Sequence, residues 1–134
     1  MAKAGLTSIE PSAVDALTQR FERDGAKVLV LPKGATDCTS FLQMAKQYLP
    51  LSPPLISEQM VWDAFSDSLW SGIHELSSEE VLIVWHGYPD LKAGDPECFK
   101  RVREILNEIA QTLSNPAYGA GKKVHLLVAL VEPA

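Results

Sequence analysis

Five consecutive residues, Val81-Leu82-Ile83-Val84-Trp85, carry large apolar side chains. Side chains on an extended strand alternate between two faces, so an unbroken apolar run must be covered on both. That is the condition of a central strand in a parallel sheet flanked by helices. Two more apolar runs fit as its companions. Lys27-Val28-Leu29-Val30-Leu31 is stopped by Pro32 and Gly34, and residues 124–131 form the last run. Helical periodicity fills the intervals. Val14, Leu17 and Phe21 share one face over residues 11–23, with Pro11 suited to a first turn and Gly25 to a cap. Residues 39–49 form a second helix before Pro50. Ser57 caps a third that runs to about Trp70, with Val61, Phe65 and Leu69 inward and Gly72 just beyond. His86-Gly87-Tyr88-Pro89-Asp90 reads as a turn. Asp95-Pro96 opens a long helix with Phe99, Val102, Leu106, Ile109 and Leu113 inside. Residues 1–10 have no period and read as a lead-in. The expected fold is α/β: a small three-stranded parallel sheet packed with helices. Residues 1–26 form an N-terminal extension with one helix, residues 27–134 the main unit, together a single globular domain.

Charge narrows the choice of ligand. The chain carries 17 acids and 12 bases, a formal charge of −5. No Lys or Arg occurs between Lys46 and Lys92, while Glu58, Asp63, Asp67, Glu75, Glu79, Glu80 and Asp90 give that stretch −7. The remainder is +2, from 10 acids and 12 bases. One acidic block on a balanced chain argues against direct nucleic-acid binding, which needs clustered cations, and points to a basic protein partner.

Two cysteines, Cys38 and Cys98, make neither a disulfide framework nor a zinc pattern, and the three histidines are scattered. No metal or cofactor is expected. Met1-Ala2-Lys3-Ala4-Gly5-Leu6 lacks the apolar core of a signal peptide, and no apolar run reaches membrane-spanning length. The reading is a reduced, cytoplasmic protein that does not engage a membrane.

The third helix carries the functional signal. Asp63 and Asp67 stand four residues apart, neighbours on one face, with Gln59, Ser66 and Trp70 on the same side. Like charges at this spacing cost a helix about 0.2–0.5 kcal/mol, and Asp63, placed two turns in, gains little from the helix dipole. A basic partner would relieve that cost. A solvated pair on a surface helix is the alternative. Catalysis by paired carboxylates needs environments that push their pKa values apart, which one exposed face does not supply. Two Asp alone are also too few for a hard cation. Trp62 and Trp70 lie on the same helix. They serve as aromatic anchors beside the charges, or they seal the helix onto the sheet.

Asp63-Ala64-Phe65-Ser66-Asp67-Ser68-Leu69 resembles the signature helix of the barstar-like family, Asp-Ala-Leu-x-Asp-x-Leu. The element order from residue 27 to residue 131 agrees, with a Leu-Ile-Val-Trp strand after the motif. The resemblance implies an intracellular inhibitor of a secreted ribonuclease, or an immunity protein protecting a bacterium from a toxin, and no enzymatic activity. It implies that Asp63 and Asp67 face the basic active site of that toxin. It also implies a third acidic contact on the long helix, at Glu108 or, one turn earlier, Glu104. Ser66 stands where the family's namesake has Trp, Val61 where it has Asn, and the usual Tyr-Gly-x-Asn segment before the motif is missing. These departures imply a toxin other than barnase.

The partner-binding set expected from sequence is therefore Asp63, Asp67, Ser66, Gln59, Trp62, Trp70 and Glu108, acting by occlusion without chemistry. A protein-interaction module binding a non-toxin partner is the alternative. A small enzyme using the His86–Asp90 turn is a third reading, which no Gly-rich phosphate motif or nucleophile–base arrangement accompanies.

Overall fold

The computed structural model describes residues 4–133. Its element order is β1 (Gly5–Ile9), a 3₁₀ turn (Pro11–Ala13), α1 (Val14–Arg23), β2 (Lys27–Leu31), α2 (Cys38–Tyr48), α3 (Trp62–His74), β3 (Glu80–Trp85), α4 (Tyr88–Gly94), α5 (Pro96–Leu113) and β4 (His125–Val131). The four strands form one parallel sheet in the order β1-β4-β3-β2.

The continuous apolarity of β3 and β4 follows from this order, because both strands are interior. Val81, Ile83 and Trp85 of β3, with Leu126, Val128 and Leu130 of β4, enter the core beneath α2, α3 and α5. The alternate residues Leu82, Val84, Leu127, Ala129 and Val131 pack on the opposite face with Phe21. Val14 and Leu17 of α1 complete that second, smaller core. Helix α1 is thus the cover that the sequence of β3 demands.

Four expectations are corrected. The sheet has four strands, not three. The fourth is β1, inside the segment read as a lead-in, of which Met1 to Lys3 lie outside the described residues. An edge strand needs little apolar patterning, since its backbone pairs on one side only. Leu6 and Ile9, one on each face, were the whole signal. The residues from His86 to Asp90 are not a simple turn, for a short helix, α4, starts at Tyr88. The third helix begins at Trp62 rather than Ser57 and continues through Gly72 to His74. Ser57 spends its hydroxyl locally, donating to the Gln59 carbonyl (2.9 Å) and accepting from the Gln59 amide (3.1 Å), so it caps a turn and not a helix. Val61 is consequently the residue before the first turn, 52% exposed rather than inside.

The fourth correction concerns the thiols. Cys38 and Cys98 are joined in a disulfide, with Cα atoms 5.6 Å apart, across 60 residues of sequence. Both are set by helix starts: Asp37 caps α2 through the Ser40 amide (2.8 Å), and Asp95 caps α5 through the Cys98 amide (3.1 Å). Cys38 opens α2, Cys98 lies in the first turn of α5, and the disulfide ties the two helix N-termini together. Spacing along the chain contains no trace of this.

Two outcomes test the account. Phe21→Ala should cost about 3–5 kcal/mol in denaturant unfolding, the range for truncating a buried Phe, although Phe21 lies in the segment read as an extension. Reduction should lower stability by about 2–4 kcal/mol through loss of the cross-link. The Cys38→Ser, Cys98→Ser double variant should no longer respond to reductant.

Candidate functional site

Helix α3 is anchored from below by Phe65 and Leu69, both fully buried. Phe65 meets Phe41 of α2 edge-on, at a centroid distance of 6.0 Å, and Phe41 in turn packs on Trp85 of β3 at 5.4 Å. Ser68, the buried polar side chain of the described core, donates its hydroxyl to the Pro53 carbonyl at 2.5 Å. The Ser52 amide donates back to the Ser68 carbonyl at 3.0 Å. At Gly72 the Pro50 carbonyl oxygen comes so close that any Cβ would overlap it. The loop before α3 is thereby stitched along the helix. At the far end the Lys122 ammonium donates to the carbonyls of His74 and Leu76, satisfying the C-terminal turn.

What remains outward is the acidic face. Asp63 and Asp67 are exposed, one turn apart. Among the described residues the one ion pair is Arg101 with Glu104, at 3.6 Å, so neither aspartate has a described cationic partner.

Asp67, Ser66 and Trp70 line a recess of about 290 Å³ between α3 and α5, together with Glu108, Ile109, Thr112 and Tyr118. Four sequence-predicted residues therefore meet in one place. Asp63 stands one turn up the same helix, outside the recess. The two candidates for a third acid are separated: Glu108 shares the recess, while Glu104 pairs with Arg101 and lines a different hollow with Lys100, Arg103 and Asn107.

The two tryptophans have structural duties. Trp70 donates its indole N–H to the Thr112 hydroxyl (2.9 Å) and stacks on His74 at 4.8 Å. Its half-exposed ring forms a wall of the recess. Trp62 packs against the core, with the Arg101 guanidinium 6.0 Å from its ring centre. Gln59 is not on the helix. It lies in the preceding loop and lines an apolar groove away from the recess.

Thr112 and Tyr118 were not expected. Thr112 follows Glu108 by one turn of α5, so helical spacing could have found it. Tyr118 comes from the irregular segment after α5, which the His74 ring holds through the Gly119 carbonyl (3.1 Å); no sequence period marks it.

A sequence profile of the family described as Barstar (barnase inhibitor) matches residues 26–130. The chain belongs to the barstar family. Searches of curated proteins and of solved structures returned no significant match. Barstar-family proteins are inhibitors rather than enzymes. The match leaves β1 and the whole of α1 outside it, so the cover over the second sheet face lies outside the matched residues. No helix among the described residues is long and apolar enough to cross a membrane. Cys38, Asp95 and Cys98 bring three ligand-type atoms together, but the sulfurs are bonded to each other and the carboxylate caps α5.

The recess geometry depends on the Trp70–Thr112 bond. Trp70→Phe and Thr112→Val should each cost about 0.5–1.5 kcal/mol in urea unfolding, the usual net value of one hydrogen bond. The double variant should cost clearly less than their sum.

Proposed function

We propose that this barstar-family chain inhibits a nuclease-type toxin by seating its α3 face in the toxin's basic active site. The observation that carries the reading is the exposed pair Asp63 and Asp67, neither with a described cationic partner; because α3 starts at Trp62, Asp63 stands in the first turn and, contrary to the sequence reading, is favoured there by the helix dipole. Two like charges one turn apart cost a helix a few tenths of a kcal/mol, and a cationic partner returns that cost.

In this mechanism the inhibitor does no chemistry. Asp63 and Asp67 take the places of substrate phosphates and accept charge-assisted hydrogen bonds from catalytic Arg, Lys or His, bidentate where Arg is available. Glu108, beside Asp67 in the recess, supplies the third carboxylate. Ser66 leaves room where the family's namesake has a large aromatic, and Trp70 lends an apolar wall. Gln59 and Trp62 belong to the rim, Gln59 through the loop and Trp62 at the first turn. The acidic stretch from residue 47 to residue 91, at −7, steers the encounter, so association slows as salt rises. The partner is a basic protein, and a secreted toxin acting on RNA or DNA fits the chemistry.

The test is co-expression with a candidate nuclease toxin, scored by growth rescue and by direct inhibition. Asp63→Ala or Asp67→Ala should each weaken binding by about 2–5 kcal/mol, a range for desolvated charge pairs to which the barnase–barstar complex itself contributed. Thermal unfolding should be unchanged or slightly improved for Asp67→Ala and unchanged or slightly lowered for Asp63→Ala, which gives up a favourable charge in the first turn of α3. Full protection by the double variant would sink the assignment.

A further inference from the structure

The Cys38–Cys98 disulfide has no part in the inhibitory reading, and its two sulfurs are not alike. Cys98 is 3% exposed and belongs to the core, whereas Cys38 is half-buried at the first residue of α2. A thiol in solution therefore reaches the bond from the Cys38 side. Disulfides with an exposed sulfur are the labile ones, exchanged rather than permanent. These are also the chain's two cysteines, so the bond, once opened, has one way to close.

The frame around the bond does not depend on it. At Gly94 the Thr36 carbonyl oxygen comes so close that any Cβ would overlap it, which seats the residues before Cys38 against the end of α4. The Lys33 backbone crowds Gly87 in the same way, just before α4. Ala35 of this loop and Leu91 of α4 are buried in the same core. The two thiols consequently stay near each other when the bond is open. A carboxylate oxygen of Asp95 lies within 4.8 Å of both sulfurs and offers an acceptor to the S–H groups that reduction creates.

Both arms of the bond lead to the first turn of α3. One turn beyond Cys38, Phe41 meets Phe65 edge-on. One turn beyond Cys98, the Arg101 guanidinium lies over the Trp62 ring. The cross-link thus joins the two helices that brace this turn.

We propose that Cys38–Cys98 is a reversible thiol–disulfide site, entered at Cys38 by a dithiol reductant, and that its state sets how firmly the first turn of α3 is braced. A thiolate of the reductant attacks the Cys38 sulfur. The new sulfur–sulfur bond forms as the Cys38–Cys98 bond breaks, and the electron pair leaves on Cys98, which takes up a proton. The reductant's second thiolate then closes on its own sulfur and frees Cys38, which is protonated in turn. The chain gains two electrons and two protons, and the reductant is left as a disulfide. For the inhibitor proposed above, the bond controls how Asp63 is presented. That consequence rests on the inhibitory reading; the experiment does not.

The experiment uses the full chain alone, without denaturant. The bond is closed with oxidised glutathione and challenged with reduced glutathione, a monothiol that exposes the mixed-disulfide step. The reaction is quenched in acid and mapped by peptide mass spectrometry. Glutathione should sit on Cys38 in about tenfold or greater excess over Cys98, since a buried sulfur reacts only when the structure opens around it. Dithiothreitol should reduce the chain fully, and oxidised glutathione should restore the bond. In amide NMR spectra the reduced chain should shift at Phe41, Trp62, Phe65 and Arg101 as well as beside the cysteines, and not at His74 in the last turn of α3. The Cys38→Ser, Cys98→Ser double variant should give the reduced spectrum in either redox buffer. A bond that does not close, one that withstands dithiothreitol, or equal labelling of the two sulfurs would overturn the site. Shifts that stop beside the cysteines, or spread evenly along α3, would overturn the link to its first turn. No outcome bears on toxin inhibition by Asp63 and Asp67, so the two readings fail separately.

Discussion

Burial of the β3–β4 pair on both faces is the constraint from which the rest follows. Eleven side chains of these two strands point alternately into two cores, and none of them tolerates water. One face is closed by α2, α3 and α5. The other is closed by α1, through Phe21, Leu17 and Val14. Without α1, Leu82, Val84, Leu127, Ala129 and Val131 would form one exposed apolar sheet face, the kind of surface that drives association.

The same constraint fixes the acidic face. Helix α3 is pinned by Phe65 and Leu69 beneath it, by Ser68 to the loop beside it, and by Trp70 to α5. The inward and lateral positions of the helix are thus all in use. Positions 63 and 67 are left over for solvent; the first turn favours an acid at 63, and no described contact within the molecule calls for one at 67. A rigid helix also presents them at a fixed separation, which suits recognition of charges that are themselves fixed.

The strongly patterned parts of this architecture were legible in the sequence. β2 was read with its observed bounds, and β3, β4, α1, α2 and α5 came within a few residues, because long apolar periods leave few alternatives. The start of α3 was misplaced because Ser57 has the chemistry of a cap and uses it in a turn. β1 escaped because edge pairing is a backbone matter and writes little into side chains. In the site, Asp67, Ser66, Trp70 and Glu108 were foreseen and do come together, since helical spacing and family likeness both carry that information. Gln59 was assigned to a helical face that begins only after it. The disulfide and Tyr118 depend on where separate elements end, which no local pattern encodes.

The placement of β1 has a consequence for how the molecule is made. Gly5 lies opposite Leu127 and Ile9 opposite Val131, so the first strand of the sheet has the last strand as its neighbour. Emerging from the ribosome, residues 5–9 have no partner until nearly the whole chain has followed. Contacts so distant in sequence are entropically expensive to close and form late. Pairing of β1 therefore has to wait for β4. Until that pairing forms, the outer edge of β4 is open for another chain to pair with.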